Sequence, residues 1–177
     1  MKNTWIVISL ILLFLVLYFL QVNFFCWFTI AGVMPNLFVI YLLFIGLFGG
    51  KRLGIPLGIL FGLCLDFFTS KQIGISAIML GSIGALAGFL DKNFSKDSRI
   101  TILLMITGVT AIYEVGVYVM NYLIASSSIE ILAFMKIVAI EIFYHIILGI
   151  ILYPLFQKVG YYMEEAFRGK QILTRYF

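Results

Sequence analysis

The chain has 177 residues, of which 63% are hydrophobic and only 11% charged, with a net charge of +4. An ordinary soluble domain is about half apolar and about a quarter charged, so a water-soluble globular fold is excluded. With spans of about 20 residues each, the length accommodates about six membrane helices and leaves no room for a separate catalytic domain.

The first apolar run, Trp5 to Leu20 behind Lys2, is long enough to cross the bilayer. No small-residue cleavage site follows it and further apolar segments do, so it reads as a retained helix over about Trp5 to Val22. No charge occurs between Lys2 and Lys51, a stretch too long for one span. Gln21, Asn23 and Pro35 break it, and Phe24, Phe25, Trp27 and Phe28 suit an interfacial aromatic belt. The second helix then covers about Pro35 to Gly49 and the third, a short one, about Leu53 to Phe68 with Asp66 near its far end. A fourth ends at Leu90 before the charged loop Asp91 to Arg99. The fifth runs from Ile100 to Ile124 and carries Glu114; the sixth, Ile131 to Phe156, carries Lys136, Glu141 and His145.

Residues 1–157 thus read as one transmembrane domain and 158–177 as a basic, aromatic tail. In the tail Val159, Tyr162, Met163, Ala166, Phe167 and Leu173 recur at near-helical spacing, as in an interfacial helix. Placing both termini in the cytoplasm puts Lys2, Lys51, Arg52, Lys92, Lys96, Arg99, Lys158, Arg168, Lys170 and Arg175 inside. Only Lys71 and Lys136 of the 12 Lys and Arg residues remain outside. That asymmetry is the positive-inside pattern, so the positive charge points to anionic lipid rather than nucleic acid.

Glycine is concentrated on helices three and four. Gly58, Gly62 and Asp66 are four apart, and Gly81, Gly84 and Gly88 line the following helix with Ala77 and Ala85. Small residues at this spacing let helices approach closely where lipid supplies no hydrophobic drive. Charges inside the bilayer cost roughly 2.5–3.5 kcal/mol each on insertion scales and therefore face protein or water. Glu141 and His145 lie one turn apart, and with Glu114 they predict a polar contact between helices five and six.

No catalytic constellation emerges. Gly74-Ile75-Ser76-Ala77 lacks the second glycine of an intramembrane serine protease motif, and one histidine cannot supply a zinc protease pair. Cys26 and Cys64 have no metal-ligand spacing, sit in apolar surroundings and read as free, buried thiols. No metal and no cofactor is expected.

The order Pro35-Asn36-Leu37, Gly58, Gly62-Leu63-x-x-Asp66, Gly74, Gly84, Gly88, Tyr144 and Tyr153-Pro154-Leu155 resembles the MreD family of rod shape-determining proteins over essentially the whole chain. His145 departs from it, since the family pattern has asparagine after the tyrosine; both side chains can bridge helices. The resemblance implies a non-enzymatic scaffold of the bacterial cell-elongation complex. It would sit in the plasma membrane beside MreC and couple cytoplasmic MreB to RodA and its transpeptidase partner. It also implies an all-α, six-helix fold like the substrate-binding subunits of energy-coupling-factor transporters, which makes a vitamin-type small-molecule binder the alternative. Whether the chain forms a homodimer is left open.

Overall fold

A computed structural model describes residues 2–69, 73–93, 98–125 and 130–168, and all of its long elements are helical. Six α-helices follow one another: α1 (Lys2–Asn23), α2 (Leu37–Gly49), α3 (Lys51–Thr69), α4 (Ile75–Asn93), α5 (Arg99–Ala125) and α6 (Ile131–Arg168). A single 3-10 turn, Phe25–Trp27, follows α1. Three helices, in α1, α5 and α6, are long and apolar enough to cross a membrane; α2 and α4 are shorter apolar helices. The chain is therefore an all-α, multi-pass membrane protein.

The shortest helix is the centre. Its 13 residues, Leu37 to Gly49, include no charge and no polar face, and a helix that is apolar all round must be buried all round. Every one of the 13 is buried, with α1, α3, α4, α5 and α6 around it. At 1.5 Å per residue it is about 20 Å long, less than the ~30 Å hydrocarbon core. Because neighbouring helices sheathe it, lipid never meets that shortfall.

α1 has two faces with different partners. Ile6, Leu10, Phe14 and Leu17 recur every three or four residues and are buried, whereas Trp5, Leu12, Val16 and Phe19 are exposed to lipid. Phe14 stacks on Phe61 of α3 with ring centres 4.2 Å apart. The Tyr41 hydroxyl of α2 donates to the Leu10 carbonyl at 2.6 Å. These contacts supply the packing and polar attachment that helix association in lipid depends on.

Between α2 and α3 the reversal occupies one residue, Gly50, at φ +72°. A side chain is strained in that left-handed region, and a longer connection would separate two helices that pack directly. Beyond it α3 and α4 form the most extensive helix pair. α6 departs from the sequence expectation. The helix does not end at Phe156 but continues unbroken to Arg168, with Phe156 stacked on Phe44 and Tyr161 edge-on to Phe48. Gly160 lies against the Phe48 ring, so α2 still has apolar surface to offer past Gln157. The Lys71, Lys96, Lys170, Leu173 and Arg175 of the charge and tail patterns lie outside the described residues.

Candidate functional site

Two polar constructions sit inside this apolar bundle, and both serve helix N-termini. The first belongs to α4. Gly62 brings α3 so close to α4 that a methyl group there would lie 2.5 Å from the Ser76 carbonyl oxygen and 2.6 Å from the Ala77 nitrogen. One turn further along α3, the fully buried Asp66 carboxylate meets the start of α4. Its Oδ2 accepts from the Gly74 and Ala77 N–H groups at 2.7 and 3.3 Å, and Oδ1 accepts from Ser76 N–H at 3.1 Å. The first N–H groups of a helix have no partner within it, and the helix dipole favours an anion there. Asp66 is thus a cap supplied by a neighbouring helix. Gly74, at φ +110°, turns the chain so that its own N–H joins the set.

The same seam continues toward Gly50. An added Cβ at Gly58 would fall 2.5 Å from the Leu80 carbonyl oxygen, and at Gly54 2.7 Å from that of Gly84. Gly84 in turn abuts the Gly54 backbone, and Gly88 the Lys51 nitrogen. Gly81 differs, because its nearest neighbour is the Ile59 side chain at 2.8 Å. Sequence spacing did not single out Gly54 or Gly46, which presses on Ala87 of α4. The four-residue step from Gly54 through Gly58 to Gly62 was the available signal for the first.

The second construction holds the N-terminus of α2. Gln21, at the end of α1, clamps both sides of Asn36: its amide N–H donates to the Pro35 carbonyl at 2.6 Å and its Oε1 accepts from Leu37 N–H at 3.1 Å. Asn36 Oδ1 accepts from Phe38 N–H at 3.2 Å, the usual N-cap bond. Its side chain also lies beside Tyr113 of α5. The Asn36 N–H donates to His145 Nε2 of α6 at 3.0 Å. That bond fixes the tautomer: Nε2 accepts, so the ring proton is on Nδ1 and is donated to Thr110 Oγ1 of α5 at 2.7 Å. His145 therefore ties α2, α5 and α6 together while completely buried.

Beside it, Glu141 Oε1 lies 3.6 Å from His145 Nε2, which exceeds a hydrogen bond. With Nε2 already accepting from Asn36, this is proximity rather than an ion pair. Glu141 and Glu114 bring their carboxyl groups together across α5 and α6. The predicted polar contact of Glu114, Glu141 and His145 is thus assembled, but the structure centres it on the start of α2. Thr110 escaped the sequence reading, although its position one turn before Glu114 on the same face could have marked it.

The remaining motif residues fall into place around these caps. Tyr144, next to His145, donates its hydroxyl proton to the Phe28 carbonyl and tethers the connection before α2. Tyr153 and Pro154 lie far along α6, with the Arg99 guanidinium 5.7 Å from the Tyr153 ring centre. Both cysteines are free thiols, but neither is fully buried as expected: Cys26, in the short 3-10 turn after α1, is exposed, and Cys64 is half-buried. Among the described residues no group of three or more His, Cys, Asp and Glu side chains is arranged to hold a metal.

Fold and interior together define a multi-pass helical membrane protein whose buried polar residues serve helix ends. The profile of the rod shape-determining protein MreD family matches residues 1–162, and the chain belongs to that family. It is accordingly a non-enzymatic component of the rod-shape and cell-elongation system. No curated protein and no solved structure matches the chain.

Proposed function

We propose that the protein acts as a rigid scaffold within the elongation complex, contacting MreC and RodA with its transpeptidase partner in the membrane and MreB on the cytoplasmic side. The observation that carries this reading is the use made of the buried polar groups. Asp66, Gln21, Asn36 and His145 are all spent on capping α2 and α4, where a transporter subunit or enzyme would aim such groups into a cavity. The bundle has six transmembrane helices with both termini cytoplasmic, and α6 carries the chain beyond the membrane into the basic tail. Lys51, Arg52 and Lys158, all exposed, mark the cytoplasmic rim. The alternative, a vitamin-type binding subunit of the energy-coupling-factor kind, shares the helix count and predicts a ligand that survives purification.

Tagged protein recovered from mildly solubilised native membranes tests this. Co-purification of MreC or RodA, with no small molecule bound, agrees with the scaffold. Recovery of a transporter ATPase module in their place refutes it.

A further inference from the structure

A cavity of about 180 Å³ opens between α5 and α6 at the end of the bundle that carries Arg99. Its walls are apolar apart from the Arg99 side chain and backbone groups. The buried Ile102 and Gly149 form the inner part, where Gly149 removes side-chain bulk: a Cβ there would lie 2.5 Å from Ile106 Cδ1, while the exposed Ile150 lies toward the lipid side. Arg99 stands at the mouth beside the ring of the buried Tyr153. Pro154 also lines the cavity, and because proline has no N–H it cannot donate to the Ile150 carbonyl as another residue in a helix would. The site therefore combines a cation, an acceptor deprived of its helical donor, and an apolar inner wall. Around it Ile100, Leu104 and Ile151 are exposed, so the opening faces lipid.

We infer that this cavity binds one anionic glycerophospholipid, its phosphate on the Arg99 guanidinium, a headgroup hydroxyl donating to the Ile150 carbonyl, and an acyl chain leaving past Leu103 and Leu104. A guanidinium at the interface matches a phosphodiester in charge and geometry, and the apolar inner wall disfavours a free inorganic anion. A zwitterionic phosphocholine lipid lacks both the net charge and the donor. The assignment does not depend on the scaffold reading; the proposed orientation decides only that the lipid belongs to the inner leaflet.

The test is native mass spectrometry of the full-length protein released from nanodiscs of phosphatidylglycerol and phosphatidylcholine in equal parts. One phosphatidylglycerol should remain on the protein. Arg99→Gln should reduce its retention about tenfold or more, the scale of a lost charge-assisted bond. Arg52→Gln, at the same rim but outside the cavity, should change it no more than about fivefold, as for any interfacial cation. Ile150→Trp, a lipid-exposed position that fills the cavity without touching the charge, should also release the lipid. Equal losses in the two arginine variants, retention in Ile150→Trp, or no preference for phosphatidylglycerol would overturn the assignment.

Discussion

Adding one methyl group at each of four glycines separates backbone packing from other roles for those residues. At Gly62 and Gly58 the new carbon would sit 2.5 Å from the Ser76 and Leu80 carbonyl oxygens respectively, against the roughly 3.5–4.0 Å of ordinary heavy-atom contact. Backbone cannot rotate away, so α3 and α4 must separate by about 1 Å. Overpacking of this kind costs about 1–3 kcal/mol. At Gly62 the separation also pulls Asp66 from three buried N–H groups, each worth about 1–3 kcal/mol when left unpaired. The gain in helix propensity from glycine to alanine, about 1 kcal/mol, offsets part of this. Gly62→Ala should therefore lose about 3 kcal/mol or more, and Gly58→Ala about 1–2 kcal/mol. Gly81→Ala meets only Ile59, a 43% exposed side chain free to turn toward lipid, and should be near neutral. Gly108→Ala meets nothing within 4 Å and should gain up to about 1 kcal/mol. Unfolding by sodium dodecyl sulfate in mixed micelles, followed by circular dichroism, ranks the four. A Gly81 variant as damaged as the Gly62 variant, or a tolerated Gly62→Ala, would refute the seam.

Other substitutions address the caps. Asp66→Asn keeps one accepting oxygen but turns an NH2 group toward a backbone donor, so it should cost about 2 kcal/mol, with Asp66→Ala worse, by the same unfolding assay. His145→Ala and Thr110→Val each break the Nδ1–Oγ1 bond; their combined loss should fall short of the sum by about 1 kcal/mol in a double-mutant cycle, and strict additivity would contradict that bond. Glu114→Gln keeps a polar group of the same size beside Glu141 and should fold normally, whereas Glu114→Lys should not accumulate in the membrane. Cys26 is exposed and Cys64 is on the lipid side of α3, so an impermeant maleimide added to intact cells should label Cys26 alone if the N-terminus is cytoplasmic.

The helices were legible because a bilayer leaves the backbone few alternatives: long apolar runs must close their own hydrogen bonds, and polar or charged breaks mark where most of them end. The close pairing of α3 and α4 was legible too, since glycine every fourth residue has few other uses in a membrane helix. What the sequence did not show was which helix lies at the centre. α2 resembles any other apolar run, and only its lack of a polar or small-residue face hinted at burial on every side. The polar site was half legible. Glu141 and His145 are one turn apart, so their proximity follows from helix geometry. His145 meets Asn36 across 109 residues of chain, and no spacing rule encodes that bond. Gln21 marked a helix end correctly but gave no sign that it clamps the next one. The continuation of α6 past Gln157 was hidden because Lys158 and the tyrosines there are typical of an interface.

The scaffold account claims that the protein contributes contacts and no turnover, and cells depleted of the native copy test this directly. For the glycine and cap variants, cell width is measured alongside the amount of folded protein that co-purifies with MreC. The account predicts that width follows this amount along one curve, whichever residue is changed. A variant that is folded, abundant and bound to MreC yet leaves the cells round would contradict it, because a step beyond contact would then be required.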